Sequence, residues 1–192
     1  MRKPNGFTLI ESIMAMILIG FAMVTLISFL YPQVERSATP HYQMRAAHLQ
    51  QSIMSRILSR AFDEQSDVQG GQYRCGENNL QGEATTCTAP ASLGKESGES
   101  ADTFNDVDDY IGCWWSDNAS DCGATTVAGR LTDLLDMSSA SEYAHFTVFI
   151  SVNYVDSSGN VSSTITDLKR IQLNVDAGNY GSYPLVAFRG NY

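Results

Sequence analysis

The sequence lacks the short motifs that commonly mark an enzyme active site. It contains no G-x-S-x-G, no H-E-x-x-H and no phosphate-binding loop. Its three histidines, His41, His48 and His145, are too scattered to predict a catalytic set. We therefore expect no catalytic residues, no cofactor and no enzymatic activity.

Basic residues are also scarce. Twelve Lys and Arg stand against 21 Asp and Glu, which gives a formal net charge of −9. A nucleic-acid-binding surface requires clustered Lys and Arg, whereas the basic residues here are scattered. We therefore expect no nucleic-acid partner and interpret the acidity as a contribution to solubility.

The spacing typical of zinc sites is missing too, because the four cysteines form no C-x-x-C pair and no cluster with histidine. We expect no metal from this pattern. An even number of cysteines favours two disulfides formed in an oxidising compartment. Three pairings are possible, and we favour the two that close short loops, Cys75–Cys87 and Cys113–Cys122. Such a loop stabilises by about 3 kcal/mol in the chain-entropy model.

Charge is absent from a long stretch near the N-terminus. Residues 12–31 contain no Asp, Glu, Lys or Arg, and twenty helical residues span about 30 Å, the thickness of a bilayer core. Arg2 and Lys3 precede this run, so we expect a cytoplasmic N-terminus and a body across the membrane. Glu11 lies at the start of the run. A carboxylate costs about 2.5–3.5 kcal/mol at mid-membrane and less near the interface, so Glu11 requires a partner.

A cleavable secretory signal explains this segment less well. Its apolar core would be shorter and would be followed by a small-residue cleavage site. The nearest such site, residues 37–39, lies beyond two charged residues. A plain membrane anchor would give no reason for Glu11.

The stretch GFTLIE at residues 6–11, with a basic leader before it and an apolar run after it, resembles the class III signal of type IV pilins and type II secretion pseudopilins. The resemblance implies that prepilin peptidase removes residues 1–6 by cutting after Gly6 and methylates the new N-terminal Phe7. It implies that the helix 7–31 stays in the bilayer and later joins the filament core. Glu11 would then pair with the N-terminal amine of Phe7 in a neighbouring subunit, because buried opposite charges attract strongly.

The same resemblance implies partners and a location. The partners are other minor and major pilins, the prepilin peptidase, the inner-membrane assembly platform and the membrane itself. The subunit would cross a bacterial inner membrane once, with its body in the periplasm, before it enters an extracellular pilus.

Two features common among major pilins are missing. The chain has no cysteine after Cys122, and Pro32 follows the apolar run rather than lying within it. Residues 32–37, 106–110 and 187–192 are instead similar to segments of minor pilins of the mannose-sensitive haemagglutinin pilus. The resemblance thus implies a minor pilin that helps to prime assembly, lies at or near the tip and supports surface adhesion.

Two alternatives stay open. One is a type II secretion pseudopilin, which is processed in the same way. The other is a tip adhesin that binds a glycan. Trp114 and Trp115 would supply an aromatic contact for such a partner, although residues 113–115 are also typical of a short buried strand beside a disulfide.

Beyond the apolar run the pattern predicts an α+β body. Apolar residues at helical spacing predict an amphipathic helix over 32–62, with Pro32 and Pro40 kinking or interrupting its path. Alternation of apolar and polar residues over 143–189 predicts an antiparallel sheet of three or four strands. A helix packed on such a sheet corresponds to the pilin fold that the resemblance implies.

The globular domain 63–192 is expected to begin with a long excursion. Residues 63–102 are rich in Gly, Ser, Glu, Gln and Thr, which predicts a loop with little regular structure that contacts a subunit or a surface. Carboxylates then cluster around residues 102–109. Such oxygens suit a calcium ion, but the EF-hand spacing does not fit, so we favour turn and capping roles for them.

Overall fold

The computed structural model describes residues 8–67, 73–78, 82–135 and 140–192. The chain divides into two compact units between Tyr42 and Gln43. Helix α1 extends from Leu9 to Leu58. Its residues up to Tyr42 belong to the first unit, and its residues from Gln43 onward belong to the second. Pro32 and Pro40 both lie within the helical backbone of α1, so the expected interruption is wrong, whereas a kink at these residues stays a prediction.

In the second unit, α1 buries one face. Leu49, Ile53 and Ile57 are fully buried and follow one another at the spacing of one helical turn. The side-chain amide of Gln50 donates a hydrogen bond to the carbonyl oxygen of Tyr183 (2.5 Å). Tyr183 belongs to the sheet, so this part of α1 lies against it.

Five strands form one sheet in the order β2-β1-β3-β4-β5. The strands are β1 Gly112–Trp115, β2 Val127–Arg130, β3 Thr147–Tyr154, β4 Leu168–Asp176 and β5 Ser182–Gly190. β1 and β2 pair in parallel, and all other neighbours pair antiparallel. A short helix, α2 (Leu131–Leu135), follows β2 directly. The predicted α+β class is confirmed, but the sheet has five strands rather than three or four.

The strand that sequence reasoning did not anticipate is β2. Its sequence, Val-Ala-Gly-Arg, does not alternate apolar and polar residues, and it contains a glycine, which is unfavourable inside a strand. The local sequence therefore does not predict a strand here. Residues 161–166 lie within the range 143–189 of the predicted sheet, but they contain only an isolated bridge between Val155 and Val161.

The segment between α1 and β1 brings distant residues together. In their described parts, residues 63–102 contain one short 3₁₀ turn, Pro90–Ser92, and no strand of the sheet. The backbone N–H of Ala61 donates to the carbonyl oxygen of Asn105 (3.0 Å). This bridge holds the residues just after α1 beside those just before β1.

Candidate functional site

The first unit presents an apolar helical surface. Leu9–Tyr31 is long and apolar enough to cross a membrane, by length and composition alone. Its large apolar side chains are exposed, from 49% for Ile13 to 80% for Leu9. Such a surface requires lipid or other protein to cover it. Gly6 and Phe7, where processing was expected, lie outside the described residues.

The polar groups inside this stretch differ in how they are satisfied. The hydroxyl of Thr25 donates to the carbonyl oxygen of Ala22 (2.8 Å), and the hydroxyl of Ser28 likewise bonds the helix backbone. Glu11 is the one charged residue of Leu9–Tyr31, and it is exposed. Its carboxylate is therefore accessible to a partner outside its own helix.

The two disulfides lie in the second unit. They join Cys75 to Cys87, with a Cα–Cα distance of 4.8 Å, and Cys113 to Cys122, at 5.7 Å. These are the pairs favoured above. The first packs into a buried cluster with Tyr154, and the second ties β1 to the turn that follows it.

The two tryptophans have different surroundings. Trp114 is only 2% exposed, and its indole N–H donates to the carbonyl oxygen of Tyr110 (3.0 Å). Trp115 is half-buried, with the Arg130 guanidinium 4.8 Å from its ring centroid. The burial of Trp114 fits the short buried strand and does not fit an aromatic surface offered to a glycan.

A lysine, Lys169 of β4, is fully buried in the second unit. Its ammonium lies 2.6 Å from Asp108 Oδ1 and 3.1 Å from Asp63 Oδ2, and it donates to the carbonyl oxygen of Phe62 (2.7 Å). The rings of Phe62 and Tyr154 lie 4.7 and 5.1 Å from the ammonium. One buried cation is thus surrounded by two buried carboxylates.

Sequence reasoning missed Lys169, although a signal was present. Lys169 precedes Ile171 by two residues in β4, and both side chains are fully buried on the same face. A lysine on the apolar face of a strand indicates a buried partner. Asp63, 106 residues away, could not be identified as that partner from the sequence, because loop paths decide such a contact.

Five more carboxylates lie close together in the second unit, and we call them the acidic cluster: Glu64, Glu96, Glu99, Asp106 and Asp109. Oxygens of Glu64, Glu96 and Asp106 lie within 4.8 Å of one another, and so do oxygens of Glu96, Glu99 and Asp109. Asp106 is fully buried and Asp109 is 1% exposed. Glu96 belongs to both groups and is therefore the shared member of the cluster.

Asp106 and Asp109 each use one oxygen to hold the turn. Oδ1 of Asp106 accepts from the N–H of Asp108 (2.8 Å), and Oδ2 of Asp109 accepts from the N–H of Asn105 (2.9 Å). These bonds are the turn role that we expected. The other oxygens, Asp106 Oδ2 and Asp109 Oδ1, are buried without a hydrogen-bond partner, as are Glu64 Oε2 and Glu96 Oε2.

Crowding changes the acidity of these groups. Burial, with the neighbouring charges of Asp108 and Asp109, raises the pKa of Asp106 to about 9. Burial and the contact with Glu99 raise the pKa of Glu96 to about 8. Without a cation, the acidic cluster therefore retains protons at neutral pH.

Comparison with known proteins matches the N-terminal segment only. Residues 1–27 match the family described as the prokaryotic N-terminal methylation motif. Neither the curated proteins nor the solved structures give a match. The motif, a long N-terminal apolar helix and an α+β body together support a type IV pilin or pseudopilin.

The motif also indicates the general role of the chain. It points to a structural subunit rather than an enzyme, and it implies other pilins as partners and processing by prepilin peptidase. The apolar stretch Leu9–Tyr31 fits anchoring in a membrane before pilus assembly.

Proposed function

We propose that this protein is a minor type IV pilin, similar to minor pilin D (MshD) of the mannose-sensitive haemagglutinin pilus. It is cleaved after Gly6, methylated at Phe7, held in the inner membrane by Leu9–Tyr31 and incorporated at or near the pilus tip. There it helps to prime assembly with other minor pilins and supports surface adhesion. The observation that carries this proposal is Glu11. It is the one charged residue of the exposed apolar stretch Leu9–Tyr31, most of which lies within the match to the methylation motif.

Glu11 gives the assembly a defined stagger. A carboxylate transferred into an apolar filament core is strongly unfavourable unless an opposite charge lies beside it. Cleavage before Phe7 creates that charge, an α-amino group one helical turn from Glu11 in sequence. Only the stagger that brings the amine of one subunit to Glu11 of the next neutralises both groups.

The likeness to minor pilin D rests on three short segments. In the described structure, two of them support the body: residues 106–110 form the turn before β1, and residues 187–192 end β5. In the second, the side-chain amide of Asn191 donates to the carbonyl oxygen of Cys75 (3.0 Å). These two segments thus stabilise the turn before β1 and the end of β5, so we expect minor pilins with the same fold of the body to have similar residues there.

Substitution of Glu11 tests the assembly role. We expect Glu11→Ala to be cleaved and methylated at Phe7 like the wild type, but to enter pili at least about tenfold less, because the amine of the neighbour loses its buried partner. The measurement is the ratio of the subunit in sheared pili to that in membranes, together with mass spectrometry of the N-terminus.

Ser12→Ala is the matched control, since it changes the adjacent helical residue without removing a charge, and it should enter pili normally. Normal incorporation of Glu11→Ala would contradict the charge-pairing role. A mature wild-type protein that retains residues 1–6 would contradict the pilin assignment itself.

A type II secretion pseudopilin is the second candidate, because the methylation motif is equally compatible with it. Deletion of the gene distinguishes the two. Loss of pili with normal protein secretion supports the minor pilin, whereas a secretion defect with normal pili supports the pseudopilin.

A further inference from the structure

Four buried carboxylate oxygens of the acidic cluster have no hydrogen-bond donor when the cluster is ionised. They are Glu64 Oε2, Glu96 Oε2, Asp106 Oδ2 and Asp109 Oδ1. A buried acceptor without a partner is destabilising, and a charged one more so. Asp106 and Asp109 are at most 1% exposed, so bulk water does not compensate for the missing donors.

Protein cations do not compensate for them either. Lys169, the buried lysine, is already engaged by Asp63 and Asp108. None of the ion pairs found in the described part of the chain includes a member of the acidic cluster. The turn bonds of Asp106 and Asp109 occupy only their other oxygens. In the described part of the chain, the unpartnered oxygens of the acidic cluster therefore have no compensating cation.

The spacing of these oxygens matches a hard divalent cation. Two sets of three residues share Glu96: Glu64, Glu96 and Asp106, and Glu96, Glu99 and Asp109. In each set, one carboxylate oxygen per residue lies within 4.8 Å of the other two. Calcium binds oxygens at about 2.3–2.6 Å, so two ligands on opposite sides of the ion lie about 5 Å apart. Asp106 and Asp109 are also oriented in advance, because backbone N–H groups fix their second oxygens.

We propose that the acidic cluster binds a calcium ion, with Glu64, Glu96 and Asp106 coordinating it through their unpartnered oxygens. Glu99 and Asp109, whose oxygens lie within 4.8 Å of an oxygen of Glu96, supply further ligands. This proposal rests on the body alone and does not depend on the assignment as a pilin.

The ligand chemistry favours calcium over other divalent ions. The acidic cluster is composed of carboxylates, whereas zinc prefers His and Cys ligands. Magnesium requires near-ideal octahedral geometry and retains several waters, whereas calcium accepts six to eight oxygens in irregular arrangements. Five carboxylates from three separate segments suit the larger and more tolerant ion.

Calcium would connect three parts of the body. Glu64 lies at the start of the loop 63–102, just after α1, Glu96 and Glu99 lie near its end, and Asp106 and Asp109 precede β1. An ion held by all three would fix this loop to the core. Calcium would therefore set the order of the surface that we expect to meet other subunits.

The test uses the full chain in detergent after treatment with EGTA. Thermal unfolding and isothermal titration calorimetry are measured with CaCl₂, and in parallel with MgCl₂, at concentrations up to about 2 mM. We expect calcium to bind with a Kd of about 10⁻⁵–10⁻³ M and to raise the unfolding temperature, with magnesium at least tenfold weaker. Absence of calcium binding, or equal affinity for magnesium, would overturn the proposal.

Neutral variants locate the site. Asp106→Asn and Glu96→Gln keep the shape of each side chain and should raise the calcium Kd at least tenfold. Both should leave the unfolding temperature in EGTA unchanged or higher, because each removes a crowded carboxylate.

Glu77→Gln changes an exposed residue outside the cluster. It is the matched control and should bind calcium like the wild type. Glu96 is only partly buried, so its variant keeps the test informative if Asp106→Asn does not fold. Wild-type calcium affinity in Glu96→Gln would refute the assignment.

Discussion

Each of the three N–H donors of the buried Lys169 ammonium has an acceptor. The carbonyl oxygen of Phe62 and the carboxylates of Asp63 and Asp108 provide the three acceptors at 2.6–3.1 Å. Removal of one member of such a buried ion cluster costs more than its formation contributed, because the remaining charges stay buried without compensation.

We expect Lys169→Met to lower the free energy of unfolding by about 3–5 kcal/mol, since it leaves Asp63 and Asp108 buried without their cation. Methionine is also unbranched and only one heavy atom shorter than lysine, so the loss reports mainly the charge rather than a cavity. Chemical denaturation followed by tryptophan fluorescence provides the measurement.

Two further variants make that result specific. Lys95→Met removes an exposed lysine and should change stability by less than about 0.5 kcal/mol. The triple variant Lys169→Met, Asp63→Asn and Asp108→Asn should recover part of the loss, because it removes the stranded charges as well. A loss below about 1 kcal/mol in Lys169→Met would show that Lys169 is dispensable to the fold.

At the scale of elements, the parallel pair β1–β2 depends on a close approach between Gly129 and Trp114. A Cβ added at Gly129 would lie 2.8 Å from Cζ3 of Trp114, which is buried and held by its bond to the carbonyl oxygen of Tyr110. The ring therefore has little freedom to move away.

We expect Gly129→Ala to lower the free energy of unfolding by about 1–3 kcal/mol through this overlap. A double-mutant cycle measured by chemical denaturation distinguishes overlap from strand propensity. In the background of Trp114→Leu, which removes the ring, the same Gly129→Ala change should cost clearly less. An equal cost in both backgrounds would exclude the steric explanation.

Strong periodic signals allowed most elements to be predicted. β3 and β4 alternate apolar and polar residues, and both segments form strands in the structure. β2 has no such alternation. Its place in the sheet depends on pairing with β1, which the local sequence does not specify, and Gly129 is accommodated there because a side chain would overlap the Trp114 ring. The sequence therefore indicated the antiparallel part of the sheet but not its parallel edge.

The acidic cluster shows the same limit for a site. Its turn, residues 105–109, could be recognised as acidic in the sequence, and the turn roles of Asp106 and Asp109 followed from residue type. Glu64 and Glu96 joined it only through the folding of a long loop with little regular structure, which no local pattern specifies. The N-terminal motif, by contrast, is contiguous, and so Glu11 could be singled out from sequence alone.

At the scale of the whole molecule, membrane anchoring and folding belong to different parts of the chain. The second unit, residues 43–192, contains the buried face of α1, the sheet, both disulfides and the Lys169 ion cluster. The apolar stretch Leu9–Tyr31 is exposed throughout its candidate span. The body should therefore fold without that stretch.

We expect residues 32–192, exported to an oxidising compartment by a cleavable signal, to form a soluble protein with both disulfides closed. Its unfolding temperature should lie within about 2 °C of that of the body in the full chain, because a change of 1 kcal/mol shifts it by about 2–4 °C at this size. It should be absent from membranes and from pili, since it lacks both the apolar helix and Glu11. Calorimetry, thiol titration and cell fractionation provide the three measurements.

A variant with Cys113→Ser and Cys122→Ser is the control for correct oxidation, and it should lose about 3 kcal/mol of stability because the short loop is no longer closed. Aggregation of the 32–192 chain with its disulfides formed would mean that Leu9–Tyr31 contributes to the folding of the body, and the division of roles argued here would then be wrong.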